Sequence, residues 1–166
     1  MSVVDYAYWD GKQFTVREDD DYIPDLHHAL SFLHNGMTEQ GYNVYSVTEV
    51  IRNAVPEMML AVTPTAVIGF NIESPWFSPD SFLGECFIGP RIGCVVDMAD
   101  AVECLSAIAR QAGCTHVCLG TRSNHRHAAL DRLLERTGCR VSTIELIREV
   151  SPCAKRSARR SRRPPT

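Results

Sequence analysis

Hydrophobic and polar residues follow two periods along this chain, one suited to strands and one to helices. Val3 to Trp9 and Lys12 to Val16 are short runs rich in aromatic and β-branched residues on either side of Asp10-Gly11. Asp-Gly favours a two-residue type I′ turn, so the pair predicts a β-hairpin. Leu26, Leu30 and Leu33 then recur at helical spacing behind the acidic run Asp19 to Asp21 and Pro24, and Asn35-Gly36 is a stop signal. Val44, Val47, Val50, Ile51 and Val55 predict a second helix, ended by Pro56. Met58 to Val62 and Ala66 to Ile72 read as two strands around Thr63-Pro64-Thr65. Ser74 to Pro79 reads as a loop exposing Trp76 and Phe77, and Phe82 to Ile88 as a strand broken by Gly89-Pro90.

The second half alternates helix and strand. Val102, Leu105, Ile108, Ala109 and Ala112 form an apolar stripe with Asp97 and Asp100 as candidate caps and Gly113 as the expected C′ residue. Thr115 to Leu119 follows as a strand. Ser123 or Asn124 then caps a helix carrying Leu130, Leu133 and Leu134 and ended by Gly138, before a last strand, Val141 to Ile147. This order predicts an α/β (α+β) fold with a central mixed sheet of about six to seven strands and about four flanking helices. Residues 1–150 form one domain by this reading. From Ser151 the chain turns to Pro, Ser, Ala and Arg, a composition expected of a disordered tail.

Composition fits that division. The chain has 166 residues, 45% hydrophobic and 22% charged, values of a globular domain rather than a coiled coil or a disordered protein. Its net charge of -3 conceals a dipole. Lys155, Arg156, Arg159, Arg160, Arg162 and Arg163 give residues 151–166 six positive charges and no acid, which leaves 11 bases against 20 acids in the rest. A basic arm of this kind is a candidate for nucleic-acid phosphates, with a solvated tail as the alternative. No apolar run is long enough to cross a bilayer, and the start lacks the pattern of a signal peptide, so a cytoplasmic protein is expected. Seven cysteines, an odd number without a Cys-x-x-Cys motif, read as reduced core residues rather than a metal or disulfide framework. His27 and His34 could share a helix face, but two histidines make no metal site, and none is expected.

Three segments in order resemble the GNAT (GCN5-related N-acetyltransferase) fold family. Ala66-Val67-Ile68-Gly69-Phe70 looks like its third strand, Glu85-Cys86-Phe87-Ile88-Gly89-Pro90 like its fourth, and Asn124 through Gly138-Cys139 like its last helix. The resemblance covers about residues 12–150. It implies transfer of an acetyl group from acetyl-CoA to a primary amine, with the donor in a cleft where the fourth and fifth strands splay. Glu85, or a water it holds, would take the amine proton, and Glu73 is a second candidate. Phe87, Ile88, Arg91, Gly93 and Asn124 would lie along the donor, whose pyrophosphate would rest on loop amides and a helix N-terminus. For Asn124 the alternative is a plain helix cap. The stretch Val117-Cys118-Leu119-Gly120-Thr121 with Asn124-His125 resembles compact GNAT-like proteins of tailed bacteriophages, some of them internal virion proteins.

The sequence also departs from the family pattern. The pyrophosphate loop reads Arg91-Ile92-Gly93-Cys94-Val95-Val96, with one glycine at altered spacing and two valines that hinder a tight turn. Asp97 and Asp100 bring negative charge to the same place. Leu134 stands where the family's leaving-group tyrosine is expected, and Cys139 where an aromatic is. Two expectations therefore stand side by side: an N-acetyltransferase, and a catalytically inactive GNAT-fold structural or interaction protein whose basic tail meets nucleic acid. The acceptor amine and oligomeric state are not legible.

Overall fold

The computed structural model describes residues 5–74, 79–120, 132 and 134–139. The fold is mixed α/β, with helices on both faces of a six-stranded sheet of order β2-β1-β3-β4-β5-β6. The strands are β1 (Tyr6–Trp9), β2 (Phe14–Arg17), β3 (Met59–Val62), β4 (Ala66–Glu73), β5 (Phe82–Pro90) and β6 (His116–Cys118). The helices are α1 (Ile23–Glu39), α2 (Val47–Asn53) and α3 (Met98–Gln111), with a 3-10 turn at Val55–Glu57 and further helix at residues 132 and 134–136. β1 runs parallel to β3 and β5 parallel to β6, while the other neighbours are antiparallel. Among the described residues no helix is long and apolar enough to cross a membrane.

The expected hairpin forms, but its turn differs. Trp9 pairs with Phe14, so the loop spans Asp10 to Gln13 rather than two residues, and none of its non-glycine residues has positive φ. The Asp10 carboxylate closes it, accepting from the amides of Lys12 and Gln13 at 2.9 Å each. An aspartate that bonds its own downstream backbone replaces the type I′ geometry. The inner arm is β1, while β2, where the resemblance begins, lies at the sheet edge.

α1 runs through Asn35-Gly36 and stops at Gly41. There the Gly41 amide donates to Thr38 O (2.9 Å) and the Tyr42 amide to Met37 O (3.1 Å), a complete Schellman closure. Gly41 has φ +84°, which explains why the stop sits there and not at Gly36. α2 is shorter than expected, because Ser46 and Glu49 form a capping box that starts it at Val47.

Two cores sandwich the sheet. Trp9, Ile68, Phe70 and Leu83 pack with Leu105 and Ile108 of α3 on one face. Tyr6, Leu60, Val67 and Phe87 pack with Leu26, Ala29 and Leu30 of α1 on the other. The α1 contact is close. A Cβ on Gly89 would lie 2.6 Å from Ala29 Cβ and 2.9 Å from Ala29 Cα, so only glycine fits there.

Candidate functional site

β5 carries the sequence-nominated chemistry and is bent by a β-bulge. Gly69 pairs with Phe87 but Phe70 pairs with Glu85, leaving Cys86 without a partner on β4. The extra residue shifts the alternation of side chains. Leu83 and Ile88, five positions apart, therefore both reach the α3-side core. Glu85 lies on that same face, opposite Phe70.

β5 and β6 pair only from Phe82 with His116 to Gly84 with Cys118. At the next position the Glu85 carboxylate stands in for the ladder, its Oε2 accepting from the Gly120 amide at 2.8 Å. Burial raises the Glu85 pKa, and the Gly120 bond offsets part of that rise. A half-buried carboxylate that resists ionisation, set where two parallel strands part, has the character of a proton acceptor.

Glu73 is not beside it. It lies on the opposite face, where a Cβ on Gly84 would come 3.7 Å from its Oε1. The sheet thus separates the two carboxylates. On the Glu73 side stand two exposed thiols, correcting the expectation that the cysteines are core residues. Burial of the sulfur raises the Cys86 and Cys118 pKa values, with Glu73 adding to both and Glu85 also to Cys86. Cys104 does behave as expected: it is buried in the core, with its pKa pushed up to about 12, mainly by burial. Among the described residues the six cysteines are free, and no group of three or more ligating side chains could hold a metal.

The loop after β5 is the other half of the nominated site. Phe87 is buried in the α1-side core and Ile88 packs towards α3. Arg91 donates from Nε to Asp25 Oδ2 (2.8 Å) and from Nη1 to Thr63 O (3.3 Å). The Ile92 amide donates to Asp25 Oδ1 (2.9 Å). The Cys94 amide closes a turn on Arg91 O, and the Asp97 amide donates to Thr65 Oγ1. At the start of α3, Asp97 Oδ1 accepts from Ala99 and Asp100 (3.0 and 3.2 Å). Asp100 in turn accepts from Trp9 Nε1 at 2.7 Å. Gly93 alone keeps the open, positive-φ backbone that a phosphate loop favours.

No protein-family model matches the chain, and no curated protein matches it.

Several donors of this loop are thus engaged within the protein. Arg91 is paired, the Ile92 amide is taken, and the α3 N-terminus is capped by a carboxylate that would repel a polyanion. The charge fixed around this loop by Asp25 and Asp97 is unfavourable to a CoA pyrophosphate. Leu134, where the resemblance implies an acid, is buried and apolar. Asn124, Trp76, Phe77, His125 and the basic tail lie outside the described residues.

Sequence reasoning missed Asp25. Its partner lies 66 residues away, which leaves no local signal. The bulge at Cys86 was equally invisible, since no glycine or proline marks that position.

Proposed function

We propose that this chain is a GNAT-like interaction module rather than an acetyl-CoA-dependent enzyme, and that it meets nucleic acid through its basic arm. The observation that carries the first half is the loop after β5, whose arginine and Ile92 amide are already paired with Asp25. Asp25, Thr65 and Asp97 already occupy several of the donors on which a CoA pyrophosphate would depend. The second half rests on charge. Six bases and no acid in residues 151–166 are set against a strongly acidic body. The body disfavours direct contact with a polyanion, which leaves the arm as the element able to neutralise phosphates. No aromatic lies in the arm to stack on bases, so binding is insensitive to sequence. A role inside a phage particle, which the resemblance also implies, accords with such a module.

The test is anisotropy of labelled duplex DNA against the full chain at several salt concentrations. Six phosphate contacts give a slope of log K on log salt of about −5 at most. Replacing the six bases with Gln abolishes binding on this reading. Unchanged affinity or unchanged salt dependence in that variant refutes it.

A second reading, N-acyl transfer to an amine, is favoured by Glu85 alone. Its raised pKa and its place where β5 and β6 part suit a group that takes a proton from an incoming ammonium. An acyl donor would then have to be held by contacts other than the loop amides already engaged.

A further inference from the structure

We infer that the loop after β5 is a built seat for a tetrahedral oxyanion, and that the chain fills this seat with its own Asp25 carboxylate. The two oxygens of Asp25 meet two adjacent donors, Arg91 Nε at 2.8 Å and the Ile92 amide at 2.9 Å. A guanidinium and a backbone amide offered side by side form the pattern that binds a phosphate or sulfate edge. The donors are held in place independently of Asp25. Arg91 Nη1 is fixed on Thr63 O, and the Arg91 amide on Thr65 O at 3.0 Å. Asp25 sits in the first turn of α1, where the helix dipole adds to the attraction for negative charge. Its side chain is only 12% exposed, so the carboxylate fills the seat and shuts out solvent anions.

A tethered anion outcompetes a free one because its binding is intramolecular. The native chain therefore shows no oxyanion site at this loop, although the donors are present. Removing the carboxylate opens the site to inorganic phosphate or pyrophosphate. This inference goes beyond the proposed function, since the seat is filled whatever the module binds elsewhere.

The experiment compares the full wild-type chain, Asp25→Ala, Asp25→Ser and the double variant Asp25→Ala with Arg91→Ala. Each is melted in phosphate, pyrophosphate and chloride at equal ionic strength. Phosphate stabilises proteins non-specifically, so the quantity read is the gain over wild type in the same buffer. Asp25→Ala and Asp25→Ser are expected to lose stability in chloride and to recover in phosphate. The excess gain is on the order of 3 °C at about five times the phosphate Kd. The double variant is expected to show no excess. An equal gain in wild type and Asp25→Ala, or an undiminished gain in the double variant, overturns the inference. So does failure of both single variants to fold at any phosphate concentration. Saturable phosphate binding to wild type that is lost in Arg91→Ala overturns the claim that Asp25 fills the seat.

Discussion

Replacing Arg91 with Gln separates a structural arginine from a ligand-binding one. Gln keeps much of the aliphatic stem but removes the Nε–Asp25 bond at 2.8 Å and the Nη1–Thr63 O bond at 3.3 Å. A hydrogen bond between charged groups contributes about 1.5–3 kcal/mol and a neutral one about 1 kcal/mol. The carboxylate left behind retains the Ile92 amide but no countercharge. Breaking a fully buried pair costs about 3–5 kcal/mol. Here the arginine side chain is 30% exposed, so water recovers part of that loss. We expect a net loss of about 2–3 kcal/mol, measured by urea unfolding with an unchanged m-value. Asp25→Asn is expected to cost less, because its side-chain oxygen still accepts from Ile92. A double-mutant cycle then gives the coupling between the two side chains. A loss below about 0.5 kcal/mol in Arg91→Gln, the range of an ordinary surface change, refutes the reasoning and returns Arg91 to the pool of free phosphate ligands.

Further tests address the strand, the helix packing and the cap. Glu85 has a raised pKa in the fold, so the folded state binds its proton more tightly than the unfolded state. Its contribution to stability is fully present below the unfolded value and is lost as pH rises through the folded one. Glu85→Gln should therefore gain stability relative to wild type across that window, in urea unfolding from pH 4 to 8, and a flat or opposite trend contradicts this. Gly89→Ala places a methyl against Ala29 on α1 and should cost about 1–3 kcal/mol by the same assay. A neutral effect would mean that α1 does not sit as closely on β5 as described. Asp97→Ala removes the acceptor of two amides at the start of α3 and should cost about 1 kcal/mol. Asp97→Asn should restore most of it, and equal losses in both variants would exclude capping as the cause.

The architecture was legible where a signal is local. The α3 stripe, its Asp97 cap and its Gly113 stop are short-range patterns, and each appears where the periodicity places it. The β3 and β4 strands likewise follow from unbroken apolar runs. Local signals misled where a side chain or a later residue supplied a better solution. Asp10 closed its own turn, and Gly41 rather than Gly36 ended α1. The site was less legible, because its content is long-range. Arg91 was singled out as a phosphate ligand, but nothing near it in the sequence reveals that Asp25 takes its charge. Glu85 and Glu73 read alike as strand acids, and only the pairing register puts them on opposite faces of the sheet.

The most direct test of the central claim is calorimetric titration of the full chain with acetyl-CoA, with free CoA alongside. The pairing of Arg91 and the Ile92 amide with Asp25 predicts no saturable heat up to millimolar ligand, from protein shown to be folded by circular dichroism. Stoichiometric micromolar binding, weakened by Arg91→Gln, would contradict the account. It would mean that Asp25 gives way to a pyrophosphate and that Glu85 belongs to an active site.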